Sequence, residues 1–461
     1  KKTPHTNPKI KKNRYNYKMN LVNQLEKILE NDNVFLSGGA GVGKSYLTNE
    51  LKLAYKKAGK NVISLGSTAI SAFNVGGVTL HSFFALALCA NLHELLLLDK
   101  KQKDKLKKLR KVLKSLDLLI IDEISMVSAE IFDLIAYRLR HSDFAGKVLV
   151  VGDFFQLPPI LKQEQKAQNS LFKGYYAFSS LSWADFKFKN VLLNVAKRTS
   201  NKRFYEYLSL MRKGAVSDEI LAYFEKMCIK AGELNAISDE FTLLCGINKK
   251  ADLINEQKLA KIDGDLLVFK ALRDKIDENL DDKAFEKWIK SLSVLDELRL
   301  KVGAKVIFCV NNYEAGYYNG EQGEITAVEN EDGKAFIKIT KSNGVQIKLT
   351  RYTFLLEDFS EENELLASFS QFPIKLAYAI TIHKSQGMSI ERLVCDIDNI
   401  FENGQLYVAL SRAVEPKNLR IFYSRADKFR PYFAGALKFD KSVLEFYAQS
   451  EFVNLKEKDT K

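Results

Sequence analysis

Residues 38–45 of the chain read Gly-Gly-Ala-Gly-Val-Gly-Lys-Ser and match the pattern G-x-x-x-x-G-K-[ST]. An apolar run, 34–37, precedes the motif and a helical stretch, 46–56, follows it. In such a turn the glycines let backbone N–H groups surround phosphate at a helix N-terminus, Lys44 reaches the β and γ phosphates, and Ser45 ligates Mg²⁺. The predicted nucleotide-binding residues are Gly38, Gly39, Ala40, Gly41, Val42, Gly43, Lys44, Ser45 and Tyr46.

Four short apolar runs predict the sheet that carries this motif. They span 34–37, 62–65, 118–121 and 148–151, and polar or glycine-rich residues follow each one at once. Such runs are typical of parallel strands buried on both faces, and the ligands of these sheets bind beyond the carboxyl ends of the strands. We therefore expect an α/β nucleotide-binding domain whose polar strand ends meet at one edge.

An acidic pair, Asp122 and Glu123, follows the third run. Alone, such a pair is typical of a solvated turn, but beside a phosphate-binding loop one carboxylate holds hydrated Mg²⁺ and the next deprotonates the attacking water. We assign Asp122 to the metal and Glu123 to the base. Gln156, beyond the fourth run, is a candidate sensor of the γ-phosphate, and Arg198 and Arg412 are candidates for neutralising the transition state. Together these residues predict NTP hydrolysis.

A second α/β unit is predicted after Trp183. The pattern there indicates helices to about Met227, and strand-like runs return at 241–245, 375–381, 393–396 and 419–423. Between the first two of these runs, alternating apolar segments are separated by Asn319-Gly320, Asp332-Gly333 and Asn343-Gly344. Such dipeptides are strong hairpin signals, and their spacing of about a dozen residues indicates a small inserted β-barrel.

The positive charge of the chain is local. Its 461 residues, enough for about three or four folding units, carry a net charge of +13, from 70 Lys and Arg against 57 Asp and Glu. Segments 1–18 and 99–114 each contribute +7, which leaves −1 for the remainder, so a polyanion would bind local patches. In the second segment, leucines at helical spacing predict an amphipathic helix on the first lobe, whose lysine face is either solvated or attracts phosphate.

Cysteine usage and hydropathy exclude several classes of protein. The five cysteines lie far apart with no C-x-x-C pair, which argues against a disulfide framework or structural zinc and favours a reducing compartment. No apolar run approaches the ~18–20 residues that span a membrane. The lysine-rich start also lacks the apolar core of a secretory signal. We therefore expect a soluble, intracellular protein with no membrane partner.

The most specific motifs lie at 152–159, Gly-Asp-Phe-Phe-Gln-Leu-Pro-Pro, at 381–388, Thr-Ile-His-Lys-Ser-Gln-Gly-Met, and at 404–412, Gly-Gln-Leu-Tyr-Val-Ala-Leu-Ser-Arg. With the phosphate loop and segment 123–133, they resemble, in order, the motifs of superfamily 1 helicases of the PIF type, in the 5′-to-3′ branch that includes RecD. The similarity extends from about Asn20 to Tyr423. It implies an ATP- and Mg²⁺-dependent helicase, active as a monomer, that moves on single-stranded DNA and unwinds tailed or forked duplexes.

The resemblance also implies two RecA-like parallel-sheet lobes that bind ATP between them, with a small SH3-like β-barrel inserted in the second lobe. Arg198, placed like the family's motif IV arginine, and Arg412 from motif VI would approach the γ-phosphate as the lobes close, and this closure is the expected translocation stroke. The expected boundaries are 1–195 for the first lobe with a wedge near 70–80, 196–258 and 373–440 for the second lobe, 259–372 for the barrel with a helical lead-in, and 441–461 for a C-terminal tail.

Contacts to the DNA strand are implied on both lobes. Segments 67–71 and 79–83 match motifs Ia and Ib, whose hydroxyls, amides and histidine bind the strand, and 73–77 occupies the position of the family's wedge. The implied DNA-binding residues are Thr68, Phe73, Asn74, His81, Asn248, Thr381, His383 and Lys384. The family also places a glutamine before the phosphate loop to recognise adenine. Gln24 lies a few residues later than the usual register, so Asn20 or Asn23 could replace it.

Three other functions stay open. A helicase related to UvrD would have the opposite polarity, although Lys-Ser-Gln-Gly at 384–387, where that branch usually has a Ser-Lys-Gly pattern, favours the PIF type. A RecD-like subunit of a larger DNA-repair complex is a second alternative. A third is an NTPase, stimulated by single-stranded DNA, that remodels a partner without unwinding. A bacterial protein of this class would be cytoplasmic and nucleoid-associated, and a eukaryotic one nuclear or mitochondrial.

Overall fold

The computed structural model describes residues 20–68, 71–72, 78–87, 89–160, 175–237, 239–292, 294–312, 314–357 and 364–455. Within these ranges, no helix is both long enough and apolar enough to cross a membrane. The described residues form two parallel-sheet lobes and an antiparallel module.

The first lobe is built on a parallel sheet whose strands include the apolar runs of the sequence. Six of its strands are β1 (Val34–Gly38), β2 (Val62–Gly66), β3 (Val78–Thr79), β4 (Leu118–Asp122), β5 (Lys147–Gly152) and β6 (Lys189–Leu193). They lie in the order β6-β1-β5-β4-β2-β3. Every residue of β1 and β4 is buried, as expected where helices cover both faces of a sheet. The four predicted strands are therefore confirmed.

The helices described in this lobe are α1 (20–29), α2 (Lys44–Lys57), α3 (Leu80–Phe83), α4 (Leu92–Asp99), α5 (Lys103–Ser115) and α6 (Ala129–Arg140). Polar side chains begin several of them: Asn91 and Ser128 accept N–H bonds from the first turns of α4 and α6, which satisfies donors that a helix leaves unpaired. α5 carries the basic segment, and its Leu109 and Leu113 are buried in the core of the lobe. The predicted amphipathic helix is therefore confirmed.

β6 corrects the sequence prediction, which assigned helices from Trp183 onward. Residues 189–193 instead pair in parallel with β1, from Val34 opposite Lys189 to Gly38 opposite Leu193. A single short apolar run does not distinguish a strand from a buried helix by its periodicity. Here the open edge of β1 favours a strand, because pairing with β1 satisfies backbone N–H and C=O groups of both segments.

The second lobe begins with helices, and the first two lie within the segment predicted to be helical up to about Met227. They are α7 (Lys202–Arg212), α8 (Asp218–Glu225), α9 (Ala231–Ala236) and α10 (Asn248–Ala260). Two strands, β7 (Cys228–Ile229) and β8 (Thr242–Cys245), lie among them. Phe204 on α7 and Phe224 on α8 are fully buried in the core of this lobe, so α7 belongs to the second lobe although it directly follows the first.

An antiparallel module interrupts the second lobe. Its strands are β9 (Leu267–Lys270), β10 (Leu272–Lys275), β11 (Glu297–Leu300), β12 (Lys305–Phe308), β13 (Gln322–Glu331), β14 (Lys334–Lys341), β15 (Gln346–Leu349), β16 (Tyr352–Glu357), β17 (Leu365–Gln371) and β18 (Ile374–Leu376), with helix α11 (Asp282–Ser291) among them. They form sheets in the orders β15-β14-β13-β12-β18, β10-β17-β16 and β11-β9. Asp332 and Gly333, with φ of +50° and +75°, turn the chain between β13 and β14, as the hairpin signal predicts. The SH3-like barrel stays a prediction.

The remainder of the second lobe completes its parallel sheet. It consists of β19 (Ala379–Thr381), β20 (Leu393–Asp396), helix α12 (Gln405–Leu410), β21 (Leu419–Phe422) and helix α13 (Phe429–Ala436), and the strands lie in the order β19-β8-β20-β21-β7. The predicted strand 375–381 is corrected: it is two strands, β18 in the antiparallel module and β19 in the parallel sheet. One apolar run therefore contributes strands to two sheets.

The segment from residue 441, predicted only as a tail, returns to the first lobe. Helix α14 (Lys441–Gln449) packs Phe446 against Phe35 and Phe154, with ring centres 6.0 and 5.6 Å apart. Strand β22 (Phe452–Asn454) then pairs in parallel with β6 and becomes the seventh strand of the first sheet. Helix α1 and the segment 441–454 thus contribute to one lobe.

Candidate active site between the lobes

The phosphate loop joins β1 to α2 in a turn that depends on glycine. Gly41 and Gly43 have φ of +76° and +94°, a backbone region that glycine adopts without strain. A Cβ at Gly41 would also lie 2.5 Å from the Cβ of Arg198, and one at Gly38 would lie 2.5 Å from the carbonyl oxygen of Leu193. The loop is thus packed against the chain that follows β6. It presents the N-terminus of α2, where unpaired N–H groups favour an anion.

Lys44, the first residue of α2, lays its side chain over this loop. Its Nζ donates hydrogen bonds to the carbonyl oxygens of Gly38, at 2.7 Å, and Gly39, at 3.1 Å. Burial lowers the pKa of the amine, and the negative charges of Asp153 and Glu123 oppose this effect. An ammonium group held in this way can exchange the loop carbonyls for phosphate oxygens.

The predicted acidic pair lies at the end of β4. Glu123 has a left-handed backbone, φ +52°, which lets its N–H donate to Oδ1 of Asp122 at 2.9 Å. Burial and the charge of Glu123 raise the pKa of Asp122 to about 7, and burial also raises the pKa of Glu123. Ser45 lines the same cleft as both carboxylates. Since a bound cation favours the ionised form of buried acids, this pair fits a site that receives positive charge.

Gln386 connects the acidic pair to the second lobe. It follows a short 3₁₀ turn, His383–Ser385, and its Nε2 donates to Oε2 of Glu123 at 3.0 Å. The sequence placed Gln386 within a motif but assigned it no role. Its place within the motif at 381–388 was the available signal. The predicted base is therefore held from the opposite lobe.

Of the two arginines predicted to neutralise the transition state, Arg198 contacts the phosphate loop and Arg412 lies within electrostatic reach of Glu123. The backbone N–H of Arg198 donates to the carbonyl of Gly41 at 3.1 Å, while its guanidinium donates to Oγ of Ser389 at 2.8 Å and to the carbonyl of Ser411 at 2.7 Å. Arg412 is almost fully buried and donates to Oγ of Ser411 at 2.9 Å. Burial lowers the pKa of both guanidinium groups, and the charge of Arg412 lowers that of Arg198 further. Two like charges so close together favour a bound anion.

A buried ion pair that the sequence did not reveal lies beside Gln156. Arg212, on α7, donates from Nε and Nη2 to the carboxylate of Asp153 at 2.8–3.0 Å. The same carboxylate lies 3.5 Å from Nε2 of the buried Gln156. The predicted γ-phosphate sensor is thus held next to a cross-lobe ion pair. An aspartate within motif III was the available signal, but its partner 59 residues away was not.

α12 brings the second lobe directly onto the phosphate loop. The backbone N–H of Ala40 donates to the Tyr407 hydroxyl at 2.9 Å. Gly404, which precedes α12, has φ +70°, and a Cβ there would lie 2.5 Å from the carbonyl oxygen of Phe155 and 2.6 Å from that of Gln156. Close backbone approach therefore joins motif VI to both the loop and motif III.

A single cleft of about 680 Å³ holds the metal-binding candidates and most of the predicted DNA-binding residues. Ser45, Asp122 and Glu123 line one part of it. The predicted DNA-binding residues that line it are Thr68, Asn248, Thr381, His383 and Lys384. The structure therefore brings together, in one cavity, two sets of residues that the sequence assigned to different ligands.

The predicted DNA-binding residues of the first lobe differ in their surroundings. Thr68 exchanges side-chain and backbone hydrogen bonds with Ser71 at 2.9–3.1 Å, which keeps its hydroxyl in a fixed turn. His81 lines a second, neighbouring cleft, and burial followed by the charge of Lys287 lowers its pKa. Phe73 and Asn74, the predicted wedge residues, lie outside the described residues.

Two further residues, Gln24 and Tyr46, were predicted to bind the nucleotide. Tyr46 lines this cavity, whereas Gln24 is not among its lining residues. Gln24 lies on α1, where its Nε2 donates to the carbonyl of Asn20 at 3.3 Å. Tyr46 is 43% exposed and lines both clefts on the side of the predicted DNA-binding residues. Tyr46 therefore stands closer to the expected DNA path than its place in the motif indicated.

Known proteins resemble this chain over nearly its whole length. The sequence model of the PIF1-like helicase family matches residues 16–220. The ATP-dependent DNA helicase Pif1 of Campylobacter jejuni is 54% identical over 443 residues, which cover 94% of this chain and 98% of that protein. This degree of identity over nearly all of both chains makes the two proteins relatives.

Solved structures extend the resemblance to the fold. Bacteroides sp Pif1 in complex with ADP-AlF4 superposes with a TM-score of 0.76 at 29% identity, over 93% of this chain and 96% of that one. Bacteroides Pif1 bound to ssDNA has a TM-score of 0.62 at 28% identity over the same shares. The two parallel-sheet lobes are accordingly RecA-like, as expected. The chain belongs to the PIF1-like helicase family and is an ATP-dependent DNA helicase.

Proposed function

We propose that this helicase moves 5′ to 3′ along single-stranded DNA and separates the strands of tailed or forked duplexes. The observation that carries the proposal is the cavity that Asp122 and Glu123 share with Thr381 and His383. Gln386 links its two parts through the hydrogen bond to Glu123. The related Bacteroides protein has been crystallised with ADP-AlF4 and with ssDNA, which supports both ligands here.

In this proposal, the polar and charged groups around the loop have separate roles in hydrolysis. Lys44 binds the β and γ phosphates, and Glu123 takes a proton from the attacking water. Gln156 donates a hydrogen bond to the γ-phosphate or orients that water. Arg198 and Arg412 neutralise charge that develops in the transition state. Because Arg198 and Gln156 contact both lobes, hydrolysis changes the contacts that hold the lobes together in this proposal.

Ser45 and Asp122 fit a Mg²⁺ site. Mg²⁺ prefers six oxygen ligands, and it usually takes one or two carboxylates while water and substrate phosphates complete the set. Across the described residues there is no cluster of three or more His, Cys, Asp or Glu that would form an all-protein metal cage, which suits such an open site. Bound there, the ion would offset the charge of the phosphates. The chain contributes by orienting Asp122 through the N–H of Glu123.

The DNA strand is bound mainly through hydroxyl, amide and imidazole groups in this proposal. Thr68 and His81 contact it on the first lobe, and Asn248, Thr381 and His383 on the second, with Lys384 as an exposed cation beside them. Phosphate contacts of this kind position the strand without reading its sequence. Since one chain supplies both lobes, we propose that a monomer is active.

Unwinding assays on tailed duplexes test the proposal. With ATP and Mg²⁺, the chain should separate a 5′-tailed duplex and leave a 3′-tailed duplex intact, and Lys44→Ala should abolish the reaction. Separation of only the 3′-tailed duplex would indicate the opposite polarity. ATP turnover that rises with single-stranded DNA while neither duplex opens would instead support the remodelling NTPase.

A further inference from the structure

Tyr447 brings the C-terminal helix α14 to the base of the phosphate loop. Its hydroxyl and that of Ser37, the last residue before the loop, share a hydrogen bond of 2.6 Å. The backbone N–H of Phe154 in motif III donates to the same Tyr447 hydroxyl at 3.4 Å. β1 and β5 are neighbours in the sheet, with Ser37 opposite Gly152. One hydroxyl group therefore connects the ends of the two strands that lead into the phosphate loop and motif III.

The ring of Tyr447 is held by aromatic and cationic neighbours. It stacks on Phe155 of motif III, with ring centres 4.7 Å apart, and on Phe452 of β22, with ring centres 5.4 Å apart. The guanidinium of Arg212, from the second lobe, lies 5.4 Å from the centre of the ring, close enough for a cation to be attracted by an aromatic ring. Burial and the charge of Asp153 raise the pKa of the Tyr447 hydroxyl above its ordinary value. The hydroxyl therefore stays protonated and neutral near neutral pH.

These contacts meet at a single turn of motif III, residues 153–156. Asp153 begins the turn, and its carbonyl oxygen accepts the N–H of Gln156 at 2.9 Å. The two residues between them both contact Tyr447, the first through its backbone N–H and the second through its ring. The side chain of Gln156 also lies 3.5 Å from the carboxylate of Asp153. The place of Gln156 beside the phosphate loop therefore depends on Tyr447, which lies outside every motif of the sequence.

We propose that Tyr447 is a positioning residue for ATP hydrolysis, which holds Gln156 at a fixed place relative to the phosphate loop. The inference rests on the proposed role of Gln156 toward the γ-phosphate. A role in packing alone would need only an aromatic ring, such as the one that the preceding residue, Phe446, contributes to the same core. A buried hydroxyl is costly unless it forms hydrogen bonds, and those of Tyr447 join the phosphate loop to motif III.

Steady-state ATPase assays at saturating single-stranded DNA, together with thermal unfolding, test the inference. Tyr447→Phe keeps the ring and removes the hydroxyl. Its kcat should fall about 5- to 20-fold while KM for ATP changes less than about twofold, as expected when an interaction that acts in the transition state is weakened. Tyr423→Phe is the matched control, because it removes a buried tyrosine hydroxyl in the second lobe that donates to the carbonyl of Asp427 at 3.0 Å. The control should keep the native kcat.

The double variant Ser37→Ala/Tyr447→Phe separates positioning from stability. Tyr447→Phe alone leaves the buried Ser37 hydroxyl without this hydrogen bond, whereas the double variant removes that hydroxyl as well. The double variant should therefore melt at a higher temperature than Tyr447→Phe, while its kcat stays equally low. Recovery of kcat together with stability would overturn the inference, and so would a native kcat in Tyr447→Phe.

Gln156→Ala tests the role on which the inference rests. Its kcat should fall at least as far as that of Tyr447→Phe, because the variant lacks the side chain that Tyr447 positions. A native kcat in Gln156→Ala would overturn the proposed role of Gln156 and the inference with it. A low kcat in Gln156→Ala beside a native kcat in Tyr447→Phe would overturn the inference alone.

Discussion

Arg212 and Asp153 form the buried pair whose disruption should have the largest effect among single residues. The guanidinium of Arg212 also lies 4.9 Å from the ring centre of Phe155 and 5.4 Å from that of Tyr447. A complete buried ion pair adds little net stability, but breaking it leaves a charge in an apolar site without its partner. The pair therefore matters for holding the two lobes and Gln156 in one arrangement.

Arg212→Ala should lower the free energy of unfolding by about 3–5 kcal/mol, because Asp153 would remain buried without its partner. ATP turnover should fall as well, since Gln156 loses a fixed neighbour. Arg212→Lys keeps the charge but lacks the forked donors of the guanidinium. Its stability and ATP turnover should therefore lie between those of the native chain and those of Arg212→Ala. Thermal unfolding followed by circular dichroism, together with steady-state ATPase rates, measures both effects.

The double variant Asp153→Asn/Arg212→Met distinguishes the two roles of this pair. It removes both charges and should regain most of the stability that Arg212→Ala loses. Its turnover should stay low if the pair positions Gln156. Recovery of turnover along with stability would limit the pair to a structural role.

Gly404→Ala tests the close approach of α12 to motif III. The substitution adds about 1–2 kcal/mol of backbone strain at positive φ and places a methyl group against the carbonyls of Phe155 and Gln156. We expect kcat of the ATPase to fall at least about tenfold, with a smaller change in KM. Gly435→Ala is the matched control, because it lies in α13 with no atom within 4 Å of the added Cβ. An unchanged kcat in Gly404→Ala would contradict the contact.

Among the secondary-structure elements, the turn His383–Ser385 lies between the predicted DNA-binding residues and the predicted base. Two of its residues are predicted to contact the strand, and Gln386 directly after it donates to Glu123. Movement of this short turn on DNA binding would change the hydrogen bond to the predicted base. The turn thus offers a direct route for stimulation of ATPase by DNA.

Gln386→Ala should reduce the DNA-stimulated kcat about 10- to 100-fold, which corresponds to loss of one hydrogen bond to a charged group, about 1.5–3 kcal/mol. The rate without DNA should change less, so the ratio of the two rates falls. ATPase assays with and without oligothymidylate measure this ratio. A lower rate with an unchanged ratio would show that Gln386 serves only to orient Glu123.

β12 links the module to the second lobe through Lys305, whose Nζ donates to the carbonyl of Glu240. Burial, followed by the charge of Arg392, lowers the pKa of Lys305 to about 7, while Asp239 and Glu240 oppose the shift. Between about 7 and 10.5 the unfolded chain binds a proton that the folded chain has released, so stability should rise with pH across this window.

Lys305→Met should remove this part of the pH dependence. Chemical denaturation at pH 7, 8 and 9 measures the slope for the native chain and the variant. Lys334→Met, which removes the same charge from an exposed site on β14, should keep the native slope. Equal slopes in all three proteins would show that Lys305 does not titrate in this range.

For the molecule as a whole, features that depend on neighbouring residues could be predicted from the sequence. Contacts between residues far apart in the sequence could not. The loop Gly38–Ser45 and the hairpin at Asp332-Gly333 depend on neighbouring residues, so their chemistry could be read directly. The bond between Gln386 and Glu123 joins residues 263 positions apart, and no local pattern encodes it. β6 was missed for a related reason: its strand character depends on the free edge of β1.

The C-terminal segment should be required for the stability of the whole first lobe. Deletion of residues 441–461 would expose the edge of β6 and the aromatic rings of Phe35 and Phe154 that α14 covers. We expect a lower melting temperature and concentration-dependent aggregation, because an open edge strand with apolar neighbours pairs with other chains. Deletion of 456–461 alone leaves these contacts in place and is the control. Light scattering during heating would show whether the longer deletion behaves differently.

The pairing of β22 with β6 also sets an order of events during synthesis. β6 ends at Leu193, and β22 begins at Phe452. β22 therefore emerges from the ribosome roughly 260 residues after β6, which takes about 13–50 s at usual elongation rates. Throughout that interval the edge of the first sheet is open beside the aromatic cluster. Until β22 arrives, the ATP-binding lobe is a candidate for chaperone binding, and slowing translation after Leu193 should prolong that vulnerable state.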